Sequence, residues 1–116
     1  MHRFKDLEIW KRGRAFCPEI CLTTASFPES EKYGLINQLR RASISIPSNI
    51  AECCSRHSNK EFSRFLEIAI GSMYELETQL LISNDMKFLG NLELESLLKH
   101  LESMIKMTSK FKSSLR

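Results

Sequence analysis

Between Phe62 and Leu80, apolar residues recur at alternating steps of four and three: Phe62, Leu66, Ala69, Met73, Leu76 and Leu80. This period keeps one face of an α-helix apolar over several turns, so the segment needs partner helices of similar length. Ser58-Asn59-Lys60-Glu61 precedes the run as a capping box, with an acceptor hydroxyl three residues before a carboxylate. The spacing predicts a helix to about Phe88, where Leu89-Gly90-Asn91 offers a glycine stop and an asparagine start. At 1.5 Å per residue such a helix is roughly 45 Å long.

Two further segments repeat the pattern. Leu94, Leu97, Leu101, Met104, Thr108, Phe111 and Leu115 form the last stripe, and Ile9, Gly13, Phe16, Ile20, Thr23 and Phe27 the first. Gly13 and Pro18 are poor helix residues, and Pro18 is expected to bend or break the first helix. Short connections near 28–31, 56–58 and 89–91 make sequence neighbours antiparallel. The expectation is one domain over residues 1–116, an all-α, up-down-up-down four-helix bundle.

The second helix contains RRASISIPSNIAECC, Arg40 to Cys54. At 100° per residue, Leu39, Ala42, Ile46, Ile50 and Cys53 fall within roughly 60° of Leu35, and Asn37, Gln38, Arg41, Ser45, Ser48 and Glu52 fall opposite. The register survives Pro47, which favours a helix kinked at Pro47 over a loop. Proline removes the hydrogen bond to the Ser43 carbonyl, a loss of about 3 kcal/mol in a plain helix interior. The hydroxyls of Ser43 or Ser45, or packing at the bend, are the expected compensation. Asn49, at the edge of the stripe, can satisfy the freed backbone with its amide.

Only four glycines and three prolines occur in 116 residues, which favours long helices over many-turned sheets. The first residues lack an apolar core of the secretory type, and no apolar run is long enough to cross a membrane. The expected setting is therefore cytoplasmic, with the four cysteines reduced.

The run YGLINQLRRASISIPSNIAECCSRHSNKEFSRFLEIAIGSMYELETQL, together with FKDLEIWKR and the Phe27-Pro28-Glu29 turn, resembles the four-helix bundle proteins encoded by intervening sequences in bacterial 23S ribosomal RNA genes. The resemblance spans nearly the whole chain. YGL, QLRRA, SIPSNIAE, KEFSRFL and the GS-x-x-ELETQL run are its most specific pieces. It implies a left-handed bundle assembled as a ring-like homopentamer. It also implies kinship with the basic bundle proteins that accompany diversity-generating reverse transcriptases, which are thought to bind nucleic acid and to contact the polymerase. The chain departs from the family pattern at Cys53, where glycine usually follows NIAE, and at Gly13 and Pro18 in a helix that is usually unbroken.

Charge is segregated. Residues 1–14 carry five cations against two carboxylates, and residues 99–116 carry five against one, although the whole chain is only +3. In this topology both segments meet the turn holding Arg56, His57, Lys60 and Arg64, so one pole is basic. Glu29, Glu31, Asp85, Glu93 and Glu95 make the other acidic. A basic rim attracts phosphate backbone without reading sequence. The candidate contacts are Arg3, Lys5, Arg12, Arg56, Lys60, Arg64, Lys106, Lys110 and Lys112. Tyr33, Gly34, Arg40, Arg41, Pro47, Asn49 and Glu52 are assigned to assembly and structure. For Arg40 and Arg41, ion pairs with Glu75, Glu77 or Glu52 are preferred over phosphate contact.

Cys17 and Cys21, and Cys53 and His57, share helix faces, but no CxxC occurs and Cys53 belongs to the apolar stripe, so no metal is expected. His2, His57 and His100 belong to no nucleophile or acid–base motif, Glu75 and Glu77 lack di-iron spacing, and there is no phosphate-cradling glycine loop. The expectation is a protein without enzymatic activity or cofactor. Its candidate partners are further copies of itself, RNA or another nucleic acid, or a second protein, with no membrane role. A protein-interaction scaffold is the alternative.

Overall fold

The computed structural model describes residues 2–115. Four helices, α1 (Glu8–Thr24), α2 (Leu35–Cys53), α3 (Asn59–Asp85) and α4 (Asn91–Ser113), are accompanied by 3-10 turns at Phe4–Asp6 and Glu29–Glu31, and no strand occurs among the described residues. Packing runs cyclically, α1 on α2, α2 on α3, α3 on α4 and α4 back on α1, and the backbones of the diagonal pairs stay more than 8 Å apart between Cα atoms. With short connections this is the up-down-up-down bundle expected. Its long dimension, 44 Å, is close to the length of α3, about 40 Å at 1.5 Å per residue.

The predicted stripes are the core. Ile20, Leu39, Ile46, Ile50, Leu66, Leu76, Leu80 and Leu101 are fully buried, each contributing about 1.5–3 kcal/mol. Phe27 and Phe88, with ring centroids 5.6 Å apart, close the acidic end. The loosest seam, α1 against α4, is spanned by polar struts. Arg12 Nη2 donates to Ser103 Oγ at 2.8 Å, Thr23 Oγ1 donates to Glu93 Oε2 at 3.3 Å, and His100 Nδ1 lies 3.3 Å from Glu19 Oε1.

Pro18 does not break α1, which runs from Glu8 to Thr24. Arg14, whose carbonyl loses its helical donor, and Pro18 itself are exposed, so water can take the vacated acceptor.

At Pro47 the helix also continues, and of the compensations expected there the Ser43 and Ser45 hydroxyls do not serve the freed carbonyl, whereas α1 packs against the bend. Cys17 on α1 donates its thiol proton to the Ser43 carbonyl at 3.3 Å, the group that proline deprives of an N–H and the nearer of two acceptors, the Gly13 carbonyl standing at 3.5 Å. Burial raises the pKa of Cys17, which keeps it a protonated donor. Ser43 Oγ donates instead to the Arg40 carbonyl at 2.8 Å, and Ser45 Oγ pairs with Ser72 Oγ on α3 at 2.7 Å. Gly13 makes the approach of α1 possible. A Cβ there would stand 3.1 Å from Ile46 Cγ2 and 3.5 Å from the Pro47 nitrogen.

The predicted capping box at the start of α3 is present, with Ser58 Oγ accepting the Glu61 N–H at 3.2 Å. The end of α3 differs from expectation. It stops at Asp85 rather than near Phe88, and the reversal is made by Lys87 in the left-handed region, φ 67°, not by a glycine. Phe88 N–H donates to the Ser83 carbonyl and Lys87 N–H to the Asn84 carbonyl, both at 2.9 Å, which is a Schellman closure. Gly90 occupies the cap position of α4 with a negative φ. Asn84 Nδ2 braces the turn by donating to the Leu89 carbonyl at 2.9 Å and to Asn91 Oδ1 at 2.8 Å.

Candidate nucleic-acid interface

Three chain segments meet at one pole: the amino-terminal stretch, the α2–α3 turn and the end of α4. His2 fastens them. Its ring stands edge-on to Phe62 of α3, with centroids 5.5 Å apart, and to Phe111 of α4, at 5.2 Å. The basic segments recognised in the sequence are therefore neighbours in space.

The nine candidate cations divide into two groups. Arg12 is half-buried and committed to Ser103. Arg56 packs its guanidinium 4.2 Å from the Phe65 ring centroid and places Nη2 3.3 Å from Glu52 Oε1. Lys112 Nζ lies 3.3 Å from Glu67 Oε1, joining α4 to α3, and Arg3 is 3.9 Å from Asp6. Lys5, Lys60, Arg64, Lys106 and Lys110 are exposed and have no carboxylate partner among the described residues. The second group has charge available to an anionic partner, whereas Arg12 belongs to the scaffold.

Two cavities open at this pole. One of about 310 Å³ is lined in part by His2, Cys54, Arg56, His57, Ser58 and Phe62. The other, of about 370 Å³, is lined by His2, Arg3, Phe4, Lys5, Ala51, Cys54 and Ser55. Sequence reasoning placed His57 at the pole but gave no role to His2 or Cys54. Their partners lie at long sequence separation and leave no local pattern.

The residues assigned to assembly also divide. Arg40 turns inward, Nε donating to Thr24 Oγ1 at 3.0 Å and Nη2 to the Cys21 carbonyl at 3.4 Å, so it ties α2 to α1 and does not make the expected ion pair. Glu52 pairs with Arg56, not with Arg40 or Arg41. Asn49 Nδ2 donates to the Ser45 carbonyl at 2.8 Å and to Ser45 Oγ at 3.0 Å. Its amide thus meets Ser45, whose carbonyl the proline does not deprive of a donor, and not the freed Ser43 carbonyl, which Cys17 serves. Gly34 leaves room for Glu31, whose Oε1 would lie 3.2 Å from a Cβ there and accepts the Leu35 N–H at 3.3 Å. Tyr33, 85% exposed, and Arg41 face outward along an open groove between α2 and α3 that also includes Asn37, Gln38, Ser45 and Glu75.

Cys53 is buried and donates to the Ile50 carbonyl at 2.8 Å; its burial and the neighbouring Cys54 raise its pKa. Among the described residues no three His, Cys, Asp or Glu side chains are grouped to hold a metal, and no helix is long and apolar enough to cross a membrane.

The profile of the 23S rRNA-intervening sequence protein family matches residues 5–110, all four helices save the last residues of α4. The chain belongs to the 23S rRNA-intervening sequence protein family. A crystal structure of a protein of unknown function from the S23 ribosomal protein family of Bacteroides thetaiotaomicron superposes with a TM-score of 0.80 at 20% identity, covering 90% of this chain and 97% of that one. At that identity the likeness speaks for the bundle fold alone. Among curated proteins none matches the chain.

Proposed function

We propose that this family member is a non-enzymatic, oligomeric helical bundle that binds RNA or another nucleic acid through its basic pole. One observation carries the reading. The two basic segments and the α2–α3 turn converge there, and Lys5, Lys60, Arg64, Lys106 and Lys110 have no carboxylate partner among the described residues. Such an array attracts phosphate by counterion release, without reading bases. A homopentameric ring, implied by the family resemblance, would repeat the pole around one rim and strengthen its field. Tyr33 and Arg41 are the residues of the assembly set that remain available for contacts between copies.

A mobility-shift titration at low and high salt tests the reading. Binding is expected at low salt, weakening steeply as salt rises and abolished when Lys60, Arg64 and Lys110 are reversed to Glu. Absence of binding at low salt, or binding indifferent to the reversals, rejects it. Light scattering tests the assembly, for which a monomer at micromolar concentration is the contrary result.

The alternative, a protein-interaction scaffold, draws support from the apolar groove of about 450 Å³ between α1 and α4, lined by Leu7, Ile9, Met107 and Phe111. Recovery of one stoichiometric protein partner after nuclease treatment, without nucleic-acid binding by the purified bundle, favours that reading.

A further inference from the structure

We propose that the cavities flanking His2 at the basic pole form a binding site for a phosphomonoester, a terminal phosphate rather than the diester backbone. The inference rests on the nucleic-acid reading of the pole for the source of that phosphate. No carboxylate lines either cavity, and between them they present Arg3, Lys5, Arg56, His57 and the hydroxyl of Ser58 around the His2 and Cys54 wall. The nearby carboxylates pair with two of the site's own cations, so Lys5 alone of its lysine and arginine side chains is uncompensated, or they belong to neighbouring turns. Glu52 is on Arg56 and Asp6 is near Arg3, and Glu61 follows in the first turn of α3.

Two of the site's side chains are held in place before any ligand arrives. Arg56 is fixed between the Phe65 ring and Glu52, and His2 between the Phe62 and Phe111 rings. Ser58 Oγ accepts the Glu61 N–H and retains its own proton to donate. Fixed donors lose little entropy on binding, and a guanidinium fork suits a phosphate dianion better than a point charge does.

Size favours a strand end over a duplex. The cavity measures about 310 Å³. That is room for a phosphate and part of its sugar, but not for stacked base pairs.

The test compares oligonucleotides of one sequence bearing a 5′-phosphate, a 3′-phosphate or hydroxyls at both ends, read by fluorescence anisotropy on the full chain. A parallel arm measures the thermal shift produced by inorganic phosphate. A terminal phosphate is expected to tighten binding about tenfold, the scale of one or two charge-assisted hydrogen bonds. His57→Ala, at an exposed position outside the nine candidate contacts, should abolish that preference while the hydroxyl-ended strand binds as before. Equal affinities accompanied by a thermal shift with inorganic phosphate support the site and assign it to free phosphate. Equal affinities without any shift overturn the site and leave the nucleic-acid pole standing. A shift with phosphate but no binding of any oligonucleotide supports the site and removes the nucleic-acid reading. No response in either arm overturns both.

Discussion

Removing the Cys17 thiol by Cys17→Ala leaves the Ser43 carbonyl without its partner, in a residue only 1% exposed. An orphaned buried acceptor costs about 1–3 kcal/mol, and a thiol is a weak donor, so about 1 kcal/mol is expected from the hydrogen bond. Poorer packing around the half-buried sulfur's position adds to this. Pro47→Ala restores a backbone N–H that can reach the same carbonyl within α2. In that background the thiol is redundant, and Cys17→Ala should cost about 1 kcal/mol less than it does alone. The coupling energy of the double-mutant cycle isolates this effect, because packing losses common to both backgrounds cancel. Urea unfolding of the four proteins, followed by far-ultraviolet circular dichroism at one fixed protein concentration, measures it. With a slope of about 1.5 kcal/mol/M the coupling appears as roughly 0.7 M in midpoint. A cycle that closes to zero refutes the claim that Cys17 replaces the hydrogen bond removed by proline.

Four further outcomes follow from local geometry. Gly71 is exposed within α3 and a Cβ there would meet open space, so Gly71→Ala should stabilise by about 0.5–1 kcal/mol in urea unfolding, whereas Gly13→Ala presses on fully buried Ile46 and should destabilise by about 1 kcal/mol. Lys87→Gly relieves a left-handed residue and should raise the midpoint by an equivalent of about 0.5–1 kcal/mol; an unchanged or lowered midpoint contradicts the Schellman closure at Lys87. Burial holds the Cys53 thiol above its ordinary 9.0 in the folded state. The unfolded chain therefore loses that proton first, so stability is full below about pH 9 and falls as pH rises above it. The fall should be shallower in Cys53→Ala, and equal alkaline slopes would exclude this origin.

The bundle was legible because its signal is local and repeated. Phe62 to Leu80 and Leu94 to Phe111 carry the helical period, and Ser58 to Glu61 caps α3 as its residue types require. What escaped the sequence depends on partners far along the chain. Cys17 meets Ser43 across 26 positions and Arg12 meets Ser103 across 91, and neither pairing has a motif. Lys87 escaped for another reason: glycine is the usual left-handed terminator, so the sequence points to Gly90, while backbone hydrogen bonds to Ser83 and Asn84 close α3 earlier. At the pole, charge segregation was readable from composition. Which cations are committed to Ser103, Glu52 or Glu67 was not, because ion-pair choice follows from which helices adjoin.

The most direct test of the basic pole is the salt dependence of binding to a single-stranded RNA oligonucleotide. Five cations without a carboxylate partner, reaching phosphates in part or in full, predict a slope of log K against log salt of roughly −2 to −3.5 per protomer engaged. Each Lys→Gln change among Lys60, Lys106 and Lys110 should reduce the magnitude by about 0.7 for every phosphate that the lysine neutralised. A slope near zero, or a steep slope that these changes leave untouched, would contradict the assignment.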